Sequence, residues 1–396
     1  MERFESMDSS REKVRLPQTS IGRYRILASN PTHAPKKWAE PCATTESAVH
    51  QLSPYIGKLK SSIAFDLVRR FSKSDDLVVD PFSGSGTIPL EARLCGRNVF
   101  AADISPYSQI LTRAKLNPPA TLECAITTAE SLLDKADLMD APDIRKVPKW
   151  VRCFFHPKTL KEAINFSRLC RKEGNWFLMA CFLGILHHQR PGFLSYPSSH
   201  LVPYLRCNKY PRSTFPEMYE YRSVRPRLIA KIVRAYKRCR PFPSDRTVNV
   251  RLGGIQSITL PERFDSLITS PPYMNALDYG RDNRLRLWFI NPNAKVSPTT
   301  DATREKAVFE RNIASLAKKV EKSLMPSGHC VLVVGEKVNR SYNAHPAEVV
   351  CNILTKCSPS LRLESVIADE IPDVRRSRKH CTCTKVEHIL VFRRRT

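Results

Sequence analysis

The sequence predicts an α/β fold: a doubly wound sheet with a closing antiparallel strand pair and a largely helical, basic insertion. Three observations carry this expectation. Between Leu77 and Asp103 a strand, a glycine loop, a helix, a second strand and an acid follow one another. The alternation of apolar runs and helical patterns resumes after 247. From 121 to 246, prolines and short helical stretches take its place.

Residues 1–48 are polar, with scattered prolines and no sustained period, and are expected to form a flexible or loosely packed lead-in. Residues 49–120 are the first half of the α/β unit. In Ser61–Phe71, the residues Ile63, Ala64, Leu67, Val68 and Phe71 recur on one helical face. Leu77-Val78-Val79 is a short apolar run ended by Asp80, which suits a buried parallel strand. Ile88–Cys95 is expected to be a helix with Gly96 as its stop, and Asn98–Ala102 a second strand ended by Asp103. In the insertion, 121–246, Lys158–Arg171 and Trp176–His187 look helical. Residues 247–396 restore the rhythm. Phe264–Ile268 and Cys330–Val334 read as strands, Ala307–Leu324 as a helix, and Leu361–Ala368 with Val386–Phe392 as the closing pair.

A chain of 396 residues, 42% hydrophobic, can bury one large core or two ordinary ones. Its net charge of +26 favours a polyanionic partner. The excess is concentrated at Arg206–Arg246, where twelve Lys or Arg face only Glu217, Glu220 and Asp245, with Tyr204, Tyr210, Tyr219, Tyr221 and Tyr236 interleaved. The runs Arg375–Lys379 and Arg393–Arg395 can add phosphate contacts. Thirteen cysteines without regular spacing, behind a charged Met1–Gln18, read as reduced thiols of a cytoplasmic protein. The most apolar run, Trp176–Leu186, is shorter than the roughly 20 residues a bilayer needs, so no membrane partner is expected. Cys381 and Cys383, flanked by His380 and His388, are separated by one residue. Paired zinc-binding cysteines use wider gaps, so alternate positions on a late strand are expected and no metal.

Two segments carry chemistry. The first is Asp80-Pro81-Phe82-Ser83-Gly84-Ser85-Gly86-Thr87. Glycines between a strand and a helix let the backbone approach a ligand closely. Asp103, followed by Ile104, ends the next strand, where an acid can accept hydrogen bonds from both hydroxyls of a ribose. Pro89 stands where a dinucleotide site has its third glycine, which argues against a pyrophosphate cradle and NAD. S-adenosyl-L-methionine has no phosphate and a positive sulfonium, and Asp80 suits its methionine part.

The second segment is Thr269-Ser270-Pro271-Pro272-Tyr273, entered from the Phe264–Ile268 strand. The exocyclic amine of a base is a poor nucleophile because its lone pair is delocalised into the ring. The Ser270 hydroxyl and the Pro271 carbonyl can accept its two hydrogens and drive the nitrogen towards a reactive, tetrahedral form. Pro271 and Pro272 fix the backbone so that the acceptors point one way. Tyr273 can stack on a base turned out of the helix.

On these residues the chain resembles the S-adenosylmethionine-dependent amino-methyltransferases of DNA found in restriction-modification systems. Asp80–Thr87 matches their cofactor motif. Thr269–Tyr273 matches their catalytic motif in the Ser-Pro-Pro-Tyr form typical of cytosine-N4 enzymes, whereas adenine-N6 enzymes usually carry Asp- or Asn-Pro-Pro-Tyr. The resemblance implies a Rossmann-like methyltransferase sheet and transfer to the N4 amine of a flipped cytosine. It further implies double-stranded DNA as substrate and a restriction endonuclease as partner. Ser53–Leu59 looks like the family segment that closes over the methionine end of the cofactor, which would place Tyr55 there. The insertion stands where some members carry a target-recognition region. Family members often have an acid at the tip of the third strand. Val250–Ile255 has none, so the adenine must be held differently. Asn275, Asp278 and Tyr279 can line the base pocket, or Asp278 can cap a helix.

Four other readings stand beside this one. Adenine-N6 methylation would use the same machinery. A guanine-N2 methyltransferase of tRNA or rRNA shares the Asp80–Ala92 pattern, but usually carries an RNA-binding domain ahead of the core, where only about 50 residues precede it here. A non-catalytic nucleic-acid-binding module would bind no cofactor. Carbon-5 methylation needs a thiolate, usually in Pro-Cys, and Pro41-Cys42 lies in the lead-in.

Overall fold

The computed structural model describes residues 20–40, 45–188, 192–196, 209–243, 245–272, 279–293, 306–335, 346–371 and 386–396. Eight strands form one sheet: β1 (Thr32–His33), β2 (Leu77–Asp80), β3 (Asn98–Asp103), β4 (Val248–Leu252), β5 (Phe264–Thr269), β6 (Leu324–Gly335), β7 (Leu361–Glu370) and β8 (Val386–Arg394). Their order is β1-β7-β8-β6-β5-β2-β3-β4. The β4-β3-β2-β5-β6 run is parallel, and β8 lies antiparallel between β6 and β7. This is the doubly wound α/β sheet with a closing antiparallel pair that the sequence predicts.

Alternate residues of the central strands serve opposite faces, as the period of two requires. Val78, Val331 and Val333 pack under α2 (Ser61–Phe71) and α3 (Thr87–Leu94) with Ile63, Leu67 and Ile88. Val79, Cys330 and Leu332 pack on the other face against Phe309, Ile313, Leu316 and Val350. Both faces of β2, β5 and β6 are therefore covered, which is why these strands read as continuous apolar runs.

The insertion is helical, and it is not a separate body. Its helices are α5 (Leu122–Asp137), α6 (Lys149–Arg152), α7 (Pro157–Lys172), α8 (Trp176–Ile185) and α9 (Val224–Tyr236). They share one apolar core with Tyr107, Ile110, Leu111 and Ala114 of α4 (Pro106–Leu116), and with Leu285, Trp288 and Phe289 from beyond the catalytic turn. α8 is buried along its length, from Phe177 to Ile185.

Two expectations need correction. The described part of the lead-in is ordered: α1 (Ser20–Ser29) and β1 add to the β7 edge of the sheet, and the Trp38 side chain is fully buried. A tryptophan's apolar area outweighs a polar composition around it. Much of the basic charge at 206–246 is used internally. Arg225 pairs with Glu130, Asp134 and Asp137 of α5. Buried Arg222 donates to the carbonyls of Glu217, Met218 and Glu220, and Lys231 to that of Gln51.

Among the described residues no helix is long and apolar enough to cross a membrane. Pro41, Cys42, Tyr204, Arg206, Tyr273, Asn275, Asp278, Arg375–Lys379, His380, Cys381 and Cys383 lie outside the described residues, as does Met1–Gln18. His388 lies in β8, where its Nδ1 is 3.0 Å from the Tyr24 hydroxyl.

Candidate active site

The parallel pairing of β2 with β5 brings the two motifs together. Val78 is in register with Ser266 and Val79 with Leu267, so both strands end at the same rim of the sheet. The junction is closed by a side-chain bond. Thr269 Oγ1 donates to Asp80 Oδ1 at 2.6 Å, across 189 residues of sequence. The Phe82 amide donates to the same oxygen at 3.3 Å. Burial pushes the Asp80 carboxyl up to about 7, against the pull of these two hydrogen bonds.

The loop after β2 turns sharply. Gly84 and Gly86 have φ of +49° and +73°, the left-handed region that side chains disfavour. At Gly86 a Cβ would also lie 2.8 Å from Thr112 Oγ1 and 3.0 Å from the Thr112 Cα. The Gly86 amide donates to the Ser83 carbonyl, and Ser85 and Thr87 share a hydroxyl contact of 2.8 Å. Pro81, Ser83, Ser85 and Thr87 are buried, and Phe82 is half-buried.

Asp103 faces this loop from the tip of β3. Its carboxylate accepts from the Gly84 amide and the Ser105 amide, each at 2.8 Å, and burial raises its pKa. Each oxygen keeps a further lone pair, which is what a ribose diol requires. Tyr55 covers the loop. Its ring lies 3.5 Å from where a Gly84 Cβ would be, its hydroxyl is 3.1 Å from Ser108 Oγ, and its ring stacks on Tyr107 and tilts against Tyr279. Tyr107 anchors the segment by donating to the Pro54 carbonyl at 2.6 Å. Ile104 and Leu252 expose apolar side chains beside Asp103, 66% and 50% accessible. The acid-free tip of β4 is tied in by the Gly253 amide, which donates to the Asp103 carbonyl. A left-handed glycine cradle, a diol-accepting acid, an aromatic cover and an exposed apolar rim are a set of donors and surfaces that fits S-adenosyl-L-methionine.

On the catalytic side, Thr269 is fully buried, Ser270 is half-buried, Pro271 is buried and Pro272 half-buried. Ser270 Oγ is 3.4 Å from the Val333 carbonyl on β6. Tyr279, from the set expected to line the base pocket, packs against Tyr55. Thr269 was part of the motif but had no role assigned from sequence. Ser108, Thr112 and Lys115 were missed too, although their spacing of four and three gathers them on one polar face of α4 beside its apolar one.

Sheet and site together have the layout of the S-adenosylmethionine-dependent α/β methyltransferase fold. Residues 53–113 match the family model described as DNA methylase. The chain is similar to the Type II methyltransferase M.MjaII of Methanocaldococcus jannaschii, with 34% identity over 68 residues, 17% of this chain and 13% of that protein. It is also similar to the Type II methyltransferase M.MvaI of Kocuria varians, with 24% identity over 160 residues, 36% of this chain and 35% of that protein. The chain thus spans about a third or less of the curated relatives it matches. Among solved structures it is similar to TrmN from Thermus thermophilus, at 11% identity and a TM-score of 0.34, covering 85% of this chain and 50% of that one. The rRNA methyltransferase aviRa from Streptomyces viridochromogenes gives 11% identity and a TM-score of 0.34, covering 90% of this chain and 95% of that one. Similarity at that level says nothing about substrate.

Proposed function

We propose that this chain transfers a methyl group from S-adenosyl-L-methionine to the exocyclic N4 amine of a cytosine turned out of double-stranded DNA. The observation that carries the reading is the Thr269–Asp80 hydrogen bond, 2.6 Å long, which holds the ends of β2 and β5 side by side. A donor bound over the glycine loop would then lie beside a base held at Ser270-Pro271, and proximity would contribute to the rate. When bound, S-adenosyl-L-methionine supplies an electrophilic methyl group on sulfur. Asp103 would hold the ribose, Asp80 and Tyr55 the methionine end, and Ile104 with Leu252 the adenine, in place of the acid absent from 250–255. The Ser270 hydroxyl and the Pro271 carbonyl would accept the amine hydrogens and leave the nitrogen lone pair free to react. The amine releases one proton to water after transfer. Serine at 270, where adenine enzymes usually carry Asp or Asn, favours cytosine.

Double-stranded DNA is the proposed partner, and a nuclease that cuts the unmethylated site is part of the same proposal, as is a cytoplasmic location. Lys231, Arg234, Lys237 and Arg238 line a cleft of about 230 Å³ beside Gln51, with no acid among its lining residues. Nucleoside mass spectrometry of DNA incubated with the protein and S-adenosyl-L-methionine, with tRNA in parallel, tests the reading. N4-methylcytosine is the expected product. N6-methyladenine would keep the mechanism and overturn the role given to Ser270, and product only in tRNA would overturn the DNA substrate.

A further inference from the structure

The cofactor loop is backed by a buried polar stripe on α4. Ser108, Thr112 and Lys115 are 0%, 0% and 1% exposed, and their spacing of four and three residues places them on one face of the helix. Each side chain meets the site. Ser108 Oγ contacts the Tyr55 hydroxyl at 3.1 Å. Thr112 Oγ1 is 3.3 Å from Ser83 Oγ and crowds Gly86. Lys115 Nζ donates to the Ser85 carbonyl at 2.6 Å. An ammonium buried this fully is costly, and burial lowers its pKa well below the usual lysine value, with Lys58 and Lys231 adding to the shift. An apolar helix face would fill the same space without that cost.

We propose that Thr112 and Lys115 are positioning residues for the cofactor. By holding the Ser83 hydroxyl and the Ser85 carbonyl they fix the backbone of 83–86, and so turn the cradle towards S-adenosyl-L-methionine before it binds. Neither side chain touches the cofactor, and both act through the loop. The inference rests on the cofactor reading above.

The test is calorimetric titration of the protein with S-adenosyl-L-methionine, together with thermal unfolding. Absence of binding by the unaltered protein would defeat the cofactor reading itself, separately from the role of α4. Lys115→Met removes the amine donor at matched length, and the expected result is cofactor binding weakened about tenfold or more, since the Ser85 carbonyl loses its side-chain donor. Its melting temperature should be unchanged or higher, because burying the lysine amine is costly and an apolar side chain of matched length fills the same space. Lys115→Arg should recover part of the affinity. In turnover assays the KM for the cofactor should rise while kcat at saturation stays within about twofold. Thr112→Val, isosteric and lacking only the hydroxyl, should weaken binding by about threefold to fivefold. It decides the matter alone if Lys115→Met does not fold. Cofactor affinity within twofold of the unaltered protein in the folded variants would overturn the proposal.

Discussion

Thr269 is where the two halves of the site meet, and it is the residue whose loss is easiest to read. Thr269→Val keeps the shape and removes the donor to Asp80, leaving a buried carboxyl with one hydrogen bond fewer. Stability should fall by about 1–3 kcal/mol, measured by denaturant unfolding. The Asp80 pKa, already raised by burial, should rise further, because a hydrogen bond that lowers it is gone. Gly86→Ala forces a Cβ against the Thr112 backbone at a left-handed φ, and should cost about 2 kcal/mol or more in the same assay. Ser270→Ala, under the proposed function, should lower kcat by about a hundredfold. Its cofactor affinity should not change, because Ser270 lies on the base side of the junction. Loss of affinity in that variant would place Ser270 in the cofactor site. At this scale the sequence was informative wherever a residue type is forced. Gly84, Gly86 and Asp103 could be named because few other residues do their work. Thr269 and Lys115 could not, because a threonine beside a strand end and a lysine on a helix look the same whether they are buried or solvated.

Helix α3 runs from the glycine loop into a buried polar pair. Glu91 Oε1 lies 2.6 Å from His50 Nε2, and burial pushes the Glu91 carboxyl up to about 7 while it lowers the His50 pKa well below the usual value. At neutral pH His50 is therefore uncharged. An acid whose folded pKa is raised contributes stability that is full below its unfolded value, near 4.5, and is lost as pH rises through about 7. His50 contributes with the opposite sign, and its part cancels when a Glu91 variant is compared with the unaltered protein. Glu91→Gln keeps a polar partner for His50 and does not ionise. Its stability relative to the unaltered protein should improve steadily between about pH 5 and pH 8, as read by unfolding at each pH. A constant difference across that range would mean that Glu91 titrates normally. Elements themselves were legible in proportion to their apolar contrast. Ser61–Phe71 was found to the residue, because Ile63, Leu67 and Val68 mark one face. Helix α5 was not singled out: its buried face is built largely from Ala125, Ala129 and Ala136, and small residues give little contrast with a polar loop.

Across the whole molecule, the net charge of +26 favours a polyanionic partner but does not point to the surface that would meet it. Position in the sequence pointed to 206–246, and the structure withdraws part of that stretch by pairing Arg225 with three acids and burying Arg222. Arg234 and Lys237 remain exposed on the rim of the basic cleft. Replacing both with Glu should weaken binding to duplex DNA and lower the slope of log affinity against log salt by about 2, in a fluorescence titration. An unchanged slope would move the DNA to another face. Global topology was readable because a strand, loop, helix and strand repeat on both sides of the insertion. What the sequence hid was that the insertion shares its core with α4 instead of folding apart.

That shared core makes α4 a common wall. One side of the helix packs on the insertion through Tyr107, Ile110, Leu111 and Ala114, and the other presents Thr112 and Lys115 to the glycine loop. Close-packed walls do not deform smoothly, so a load on one side is felt on the other. Any ligand that changes the insertion's packing enough to move this helix acquires a coupling free energy with the nucleoside pocket. Thermodynamic reciprocity then sets the return: whatever factor the ligand imposes on affinity in the pocket, occupancy of the pocket imposes on the ligand.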